Sequence, residues 1–193
     1  MTDQTDSSDS PYMTGRLLIA MPGMRDERFA NTVLYMCAHT EEGAMGLVLN
    51  QRLDSLSFGE LMEQLEIKEE DVPEDVPVHF GGPVEAGRGF VLHTADYRQD
   101  ATLDVEDGIA LTATVDILKS IARGYGPRQS MLALGYAGWG PGQLDDEIRA
   151  NGWLQAPGDM ELVFDSNLDT KWERAIFKLG IDPRMLSGEA GHA

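Results

Sequence analysis

Two glycine-rich segments and two groups of polar side chains are the parts of this chain whose residue types can do chemistry. The first segment is Ser130 to Ile148, SMLALGYAGWGPGQLDDEI, where Gly135, Gly138, Gly140 and Gly142 fall close together with Tyr136 and Trp139 between them. It reads as an apolar strand, a glycine turn over 135–142 and an acidic amphipathic helix. Such a turn either brings two backbones into contact or offers N–H groups to an anion. No lysine, serine or threonine follows the glycines as a phosphate loop requires, and Asp145, Asp146 and Glu147 crowd the helix start. Those carboxylates complement the helix dipole and repel phosphate. The spacing favours a structural turn with Gly140 as N-cap, Pro141 in the first helical position and Trp139 packed on the helix. The steric demand for glycine is expected at Gly138. The competing reading is a ligand loop formed by Gly138, Trp139 and Gly140.

The second segment is His79-Phe80-Gly81-Gly82-Pro83. It is either a sharp reversal between strands or a nest in which Gly81 and Gly82 present N–H groups to a carboxylate or oxyanion. Cys37 and His39 lie two apart on an expected strand and so share a face. An imidazole can activate a thiol, but no orienting carboxylate accompanies this pair, which favours a small buried cysteine. His39, His79, His93 and His192 with Asp26 or Asp96 lack the spacing of a zinc site. No metal and no cofactor is expected. His93 ends a strand and is a candidate for lining a cleft, with Asp116 near the same rim.

These groups need elements to hold them. Expected strands are 15–21, 31–39 and 41–50, the last two joined as a hairpin through Thr40–Gly43. Ser57 and Glu60 form a capping box, and Phe58, Leu61, Met62 and Leu65 make one apolar stripe behind it. Short strands follow at 76–84 and 87–95, then a strand pair in 101–112 turning at Glu106–Gly108. Thr114 begins a helix over 115–122, which Gly124 and Gly126 end. After the 130–148 segment come short strands at 153–155 and 161–164. A last helix starts at Asp169 and packs Trp172, Ala175, Ile176 and Leu179. Hairpins interleaved with helices predict an α+β (α/β-like) fold. It has a mixed β-sheet covered by helices and a smaller two-layer α/β portion.

Residues 1–13 are polar and expected to be a disordered tail, with order beginning near Gly15. Residues 14–193 make one domain with room for a small subdomain mid-chain. Fifteen basic against 33 acidic residues give a net charge of −18. That field repels polyanions, so no direct nucleic-acid contact is expected. The N-terminus lacks the basic and apolar regions of a signal peptide, and no apolar run approaches the roughly 18 residues of a membrane span. A single cysteine fits a reducing cytoplasm.

Six segments in fixed order resemble one family. They are GRLLIAMPGMRDERF, YMCAHTEEGAMGLVLN, HFGGPVEAGRGFVLH, the Thr112–Leu118 run, LGYAGWGPGQLDDEIRANGWL and the C-terminal GHA. Together they are similar to the AlgH/YqgE family of bacterial proteins over residues 14–193. The resemblance implies a mixed, partly folded sheet and no agreed enzymatic activity. Through the name of one member it also implies a link to transcriptional control. The combined expectation is a cytoplasmic, non-catalytic interaction or regulatory protein, acting on transcription indirectly if at all, with a protein partner of unknown identity. The alternative is a small-molecule binder or enzyme that uses Gly81-Gly82-Pro83, the Gly135–Gly142 segment and His93.

Overall fold

The computed structural model describes residues 11–68 and 72–186. The strands are β1 (Leu17–Ala20), β2 (Val33–Thr40), β3 (Gly43–Val48), β4 (Val78–Phe80), β5 (Val84–Thr94), β6 (Leu103–Glu106), β7 (Ile109–Thr112), β8 (Ser130–Trp139) and β9 (Trp153–Ala156). The helices are α1 (Phe58–Gln64), α2 (Val115–Ala122), α3 (Gln143–Arg149), α4 (Met160–Phe164) and α5 (Lys171–Lys178). The fold is a mixed α+β structure. One sheet runs in the order β6-β7-β5-β8-β3-β2-β1-β9, and β4 joins it beside β8. Every strand pair is antiparallel except β4 with β8.

Strand β8 organises the sheet. Its first half pairs with β5 on one edge and β4 on the other, and its second half pairs with β3. The sheet curls around it into a half-barrel. The inner face carries Leu17, Tyr35, Leu47, Phe90, Leu92 and Met131, closed by Leu162 and Val163 of α4 and Ala175 and Ile176 of α5. On the outer face α1 and α2 cover Val78, Val91, Leu132 and Leu134. Farther along, Leu144 of α3 packs with Leu18, Leu34, Val48, Trp139 and Trp153.

Local signals placed several elements correctly. Ser57 Oγ accepts from the Glu60 N–H and the Glu60 carboxylate accepts from the Ser57 N–H, so the capping box starts α1. The β2–β3 hairpin closes with Thr40 opposite Gly43, and β6–β7 is the second expected pair. Thr114 is the N-cap of α2 by position, but its hydroxyl donates to Gln99 Oε1 at 2.8 Å instead of capping. The α5 helix begins at Lys171, after Thr170, two residues later than its first signal.

Four expectations need correction. The 135–142 turn is not a turn over most of its length, because β8 continues to Trp139 and only 140–142 link it to α3. Cross-strand pairing with β3 outweighs the local preference of these glycines for loops. Gly142, with φ 73°, is the N-cap of α3, so Gly140 and Pro141 precede the helix. Residues 161–164 are helical: Asp159 accepts from the Leu162 N–H and starts α4 where the apolar run alone suggests a strand. Order also begins earlier than Gly15, since Met13 is buried beside Leu18 and Met36. Residues 1–10 of the expected tail lie outside the described residues.

Lys171 closes the C-terminal end of α4, its Nζ donating to Asp165 O at 2.9 Å and Val163 O at 3.4 Å. The side chain is fully buried. Burial pushes its pKa down to about 8, opposed by the nearby Asp165 carboxylate. An unfolded lysine titrates near ~10.4. Between these values the unfolded chain binds more protons than the folded one, so this group makes stability rise with pH. Wild type is therefore expected to gain on a Lys171→Met variant between pH 8 and 10.5 in parallel denaturant titrations. A difference that stays flat over that window would show that Lys171 keeps an ordinary pKa. The direct comparison is needed because Cys37 contributes with the opposite sign there.

Candidate binding cleft

The two glycine segments meet, but as backbone against backbone. Gly81 donates its N–H to Leu134 O at 2.8 Å, and its own carbonyl accepts from the Val48 N–H at 2.9 Å. A Cβ on Gly81 would overlap Gly135 O, one on Gly82 would overlap the Tyr136 carbonyl, and one on Gly135 would overlap Gly82 O. Gly135 itself has φ 74°. These three glycines let the β4–β5 connection cross β8 at van der Waals contact. The Gly81 N–H that a nest would offer to a ligand is already used by β8.

The crossing has a consequence one step along the chain. In the β5–β8 register, Val84 faces Tyr136 and Gly89 faces Leu134. The four residues Glu85, Ala86, Gly87 and Arg88 therefore stand opposite Gly135 alone, as an exposed excursion. Glu85 enters it with φ 47°, a left-handed conformation that costs energy for a glutamate. Bulges of this kind bend a strand and redirect its side chains. Here the excursion carries Glu85 and Arg88 to the rim of a cleft of about 640 Å³.

The wall of this cleft is apolar. Met45, Phe90, Leu111 and Tyr136 line it and also pack on the inner core, so the cleft is that core reaching the surface. Gly138 and Trp139 of β8 also line it, beside their β3 partners Met45 and Ala44. The Phe90 and Tyr136 rings meet edge to face with centroids 5.6 Å apart. The Arg88 guanidinium lies over Phe90, 5.1 Å from the ring centroid. At an exposed site that contact is worth about 0.5–1 kcal/mol. Arg88 Nη1 is 3.5 Å from Glu85 Oε2, and both side chains are about half exposed. The cleft volume falls in the range of small-molecule sites, roughly 300–1,000 Å³.

The other residues singled out from sequence are elsewhere. Gly140 follows β8, its N–H donating to Gln143 Oε1 at 3.0 Å. Asp116 is exposed on the first turn of α2 and outside the cleft lining. His93 is completely buried and does not reach the cleft. Its Nδ1 donates to Thr94 O at 2.9 Å, so Nε2 accepts from the Thr112 hydroxyl at 2.7 Å. Burial lowers its pKa. His79 is also buried, with Nδ1 bonded to Leu132 O at 3.0 Å, and burial again lowers its pKa. Both are neutral imidazoles fixed by the sheet. His192 lies outside the described residues. Among the described residues no group of three or more His, Cys, Asp or Glu side chains is arranged to hold a metal.

Cys37 and His39 do not form a catalytic pair. The β2–β3 register shifts between Met36 and Ala38, leaving Cys37 in the inner core. His39 is buried at the strand end, where Nδ1 accepts from the Met13 N–H at 2.9 Å and Nε2 faces Asp145 at 3.7 Å. Burial pushes the Cys37 thiol up to about 12. A thiol held in that form reacts slowly, because the thiolate is the nucleophile. Labelling of native protein by a disulfide reagent at pH 7.5 is expected to be far slower than labelling in denaturant. Equal rates would place Cys37 at the surface.

Sequence reasoning did not single out the rim residues: it left Glu85 and Ala86 between expected strands at 76–84 and 87–95, whereas β5 runs from Val84 to Thr94 as one bulged strand.

A model of the AlgH-like family, DUF179, matches residues 17–184. The chain belongs to the AlgH-like family. A UPF0301 protein of Rhodospirillum rubrum is 56% identical over 182 residues, covering 94% of this chain and 95% of the relative. A UPF0301 protein of Nitrobacter hamburgensis is 54% identical over 202 residues, covering 100% of this chain and 94% of its own. The solution structure of the AlgH protein from Pseudomonas aeruginosa superposes with a TM-score of 0.80 at 39% identity, covering 97% of this chain and all of that one. Protein DIP2367 of Corynebacterium diphtheriae shares the fold, with a TM-score of 0.71 at 23% identity over 88% of each chain. None of these names states a reaction, so the chemistry of this chain has to be argued from its own side chains.

Proposed function

We propose that this AlgH-like protein is a non-catalytic recognition protein and that the cleft under the Glu85–Arg88 excursion is its binding surface. The supporting observation is the excursion itself. A strained glutamate and an arginine are held over an open apolar cleft continuous with the core, while the buried histidines are engaged in the sheet. Backbone strain of this kind persists where surrounding structure enforces it, and it clusters at ligand sites. The charged groups lining the cleft, Glu85 and Arg88, pair with each other, and the Thr114 hydroxyl in the same lining donates to Gln99 Oε1.

Any effect on transcription would be indirect, because a net charge of −18 opposes contact with DNA. A cytoplasmic setting fits the single, free cysteine. No helix among the described residues is long and apolar enough to cross a membrane.

The test is NMR mapping of a fragment library on the labelled protein. Hits are expected to move the amides of Met45, Phe90, Tyr136 and Gly138. Ala113→Trp, an exposed change on the cleft lining, should abolish those shifts while leaving the remaining spectrum in place. A library whose hits all map elsewhere would remove the cleft from consideration.

A further inference from the structure

We infer that the cleft takes a small apolar monocarboxylic acid, its carboxylate on the Arg88 guanidinium and its body against Met45, Phe90, Leu111 and Tyr136. This inference rests on the cleft being the binding surface.

Arg88 supplies the polar half of the argument. It is the cation of the cleft lining, and no hydrogen bond occupies its fork among the described residues. Its face is against Phe90, which leaves the N–H edge for a planar partner. A guanidinium edge matches a carboxylate with two parallel hydrogen bonds. The ion pair with Glu85 is half exposed and longer than a hydrogen bond. Exposed pairs of that kind contribute little, so an incoming carboxylate can replace Glu85.

The same groups argue against other ligands. A phosphate brings up to two charges and needs several donors, whereas the lining offers one cation and sets Glu85 beside it in a chain of net charge −18. An organic cation would seek the aromatic face, and Arg88 already covers Phe90. A peptide laid in as an added strand needs a free strand edge. Along β8, Tyr136 is paired with Val84 and Gly138 with Met45, so a strand could add only at the outer edge of β6, beside Leu103. The lining as a whole matches a compact molecule with an apolar body and one carboxylate. The volume and the apolar wall suit a body of fatty-acyl or aryl type.

The experiment titrates the full chain with decanoate and 2-naphthoate, with the matching neutral amides, and with a short peptide ending in a free Leu-Phe carboxylate. Amide shifts of Met45, Tyr136 and Gly138 and the Trp139 indole N–H resonance report binding. The acids are expected to bind in the cleft, and Arg88→Gln to weaken them by about 10- to 100-fold while leaving the amides unchanged. Arg88 is a half-exposed rim residue, and an unchanged spectrum away from the cleft will show that the variant folds. Acid and amide binding equally, or indifference to Arg88→Gln, overturns the carboxylate assignment. A peptide that binds more tightly than either acid overturns the small-molecule assignment. If neutral fragments occupy the cleft and no acid does, this inference fails and the cleft reading stands. If nothing maps to the cleft, both fall.

Discussion

Gly135→Ala is expected to lower stability by about 4 kcal/mol, or to prevent folding. The residue has φ 74°, and its added methyl would overlap the Gly82 carbonyl. The left-handed backbone costs about 1–3 kcal/mol for a non-glycine residue, and overpacking against a neighbour that cannot move costs a similar amount. The neighbour cannot move because it is main chain, held through Gly81 to Leu134 and Val48. Gly87→Ala is the control. No heavy atom lies within 4 Å of its added Cβ, and it is exposed in the excursion. It should stay within about 0.5 kcal/mol of wild type. Urea midpoints of the three proteins measure the difference. Equal midpoints for Gly135→Ala and Gly87→Ala would mean that the crossing is not a packed contact. Gly138, where the sequence places the steric demand, has ordinary φ, and its added Cβ meets the Tyr136 ring at 3.3 Å. The strict requirement lies three residues earlier, at the point where two backbones touch.

Trp139→Ala is expected to cost about 3–5 kcal/mol, the usual range for truncating a buried aromatic side chain. Trp139 is 7% exposed and packs in one cluster with Leu18, Leu34, Val48 and Leu144. Its ring meets Trp153 edge to face at 6.2 Å, and Trp153 in turn meets Phe29 at 5.9 Å. The ring therefore ties β8 to α3 and β9, which is the packing role expected from sequence, reached from the end of a strand instead of from a turn. Because Trp139 also lines the cleft, the alanine variant should change fragment binding as well as stability. Phe177→Ala is the comparison, since that ring is 53% exposed and its removal should leave the midpoint almost unchanged. A Trp139→Ala midpoint equal to that of wild type would show that the ring is not part of the packed cluster.

The legible parts of the fold are those whose cause lies within a few residues. Ser57 and Glu60 cap α1 through contacts three residues apart. Thr40 and Gly43 close a hairpin whose strands are adjacent in sequence. Elements of ambiguous length were misread. The run Met160–Phe164 is too short for periodicity to separate strand from helix, and the Asp159 cap together with Lys171 decides for helix. Gly135–Trp139 is glycine-rich and reads locally as a loop, yet pairing with β3, some ninety residues earlier, keeps it extended.

The candidate site divides in the same way. By itself, the sequence determined the strong acidity, the AlgH-like resemblance, the β2–β3 and β6–β7 hairpins and the first two helices, because each of these depends on composition or short spacing. It also marked both glycine segments, each with a structural reading and a ligand reading left open. Only the tertiary structure decided that Gly81 and Gly82 meet the main chain of Gly135 and Tyr136, and that His93 is enclosed by Thr94 and Thr112. It alone placed Arg88 over Phe90 beside Met45 and Tyr136. The physical reason is that these contacts join residues tens of positions apart. They follow from strand register, and a four-residue excursion in β5 reassigns every side chain that faces the cleft.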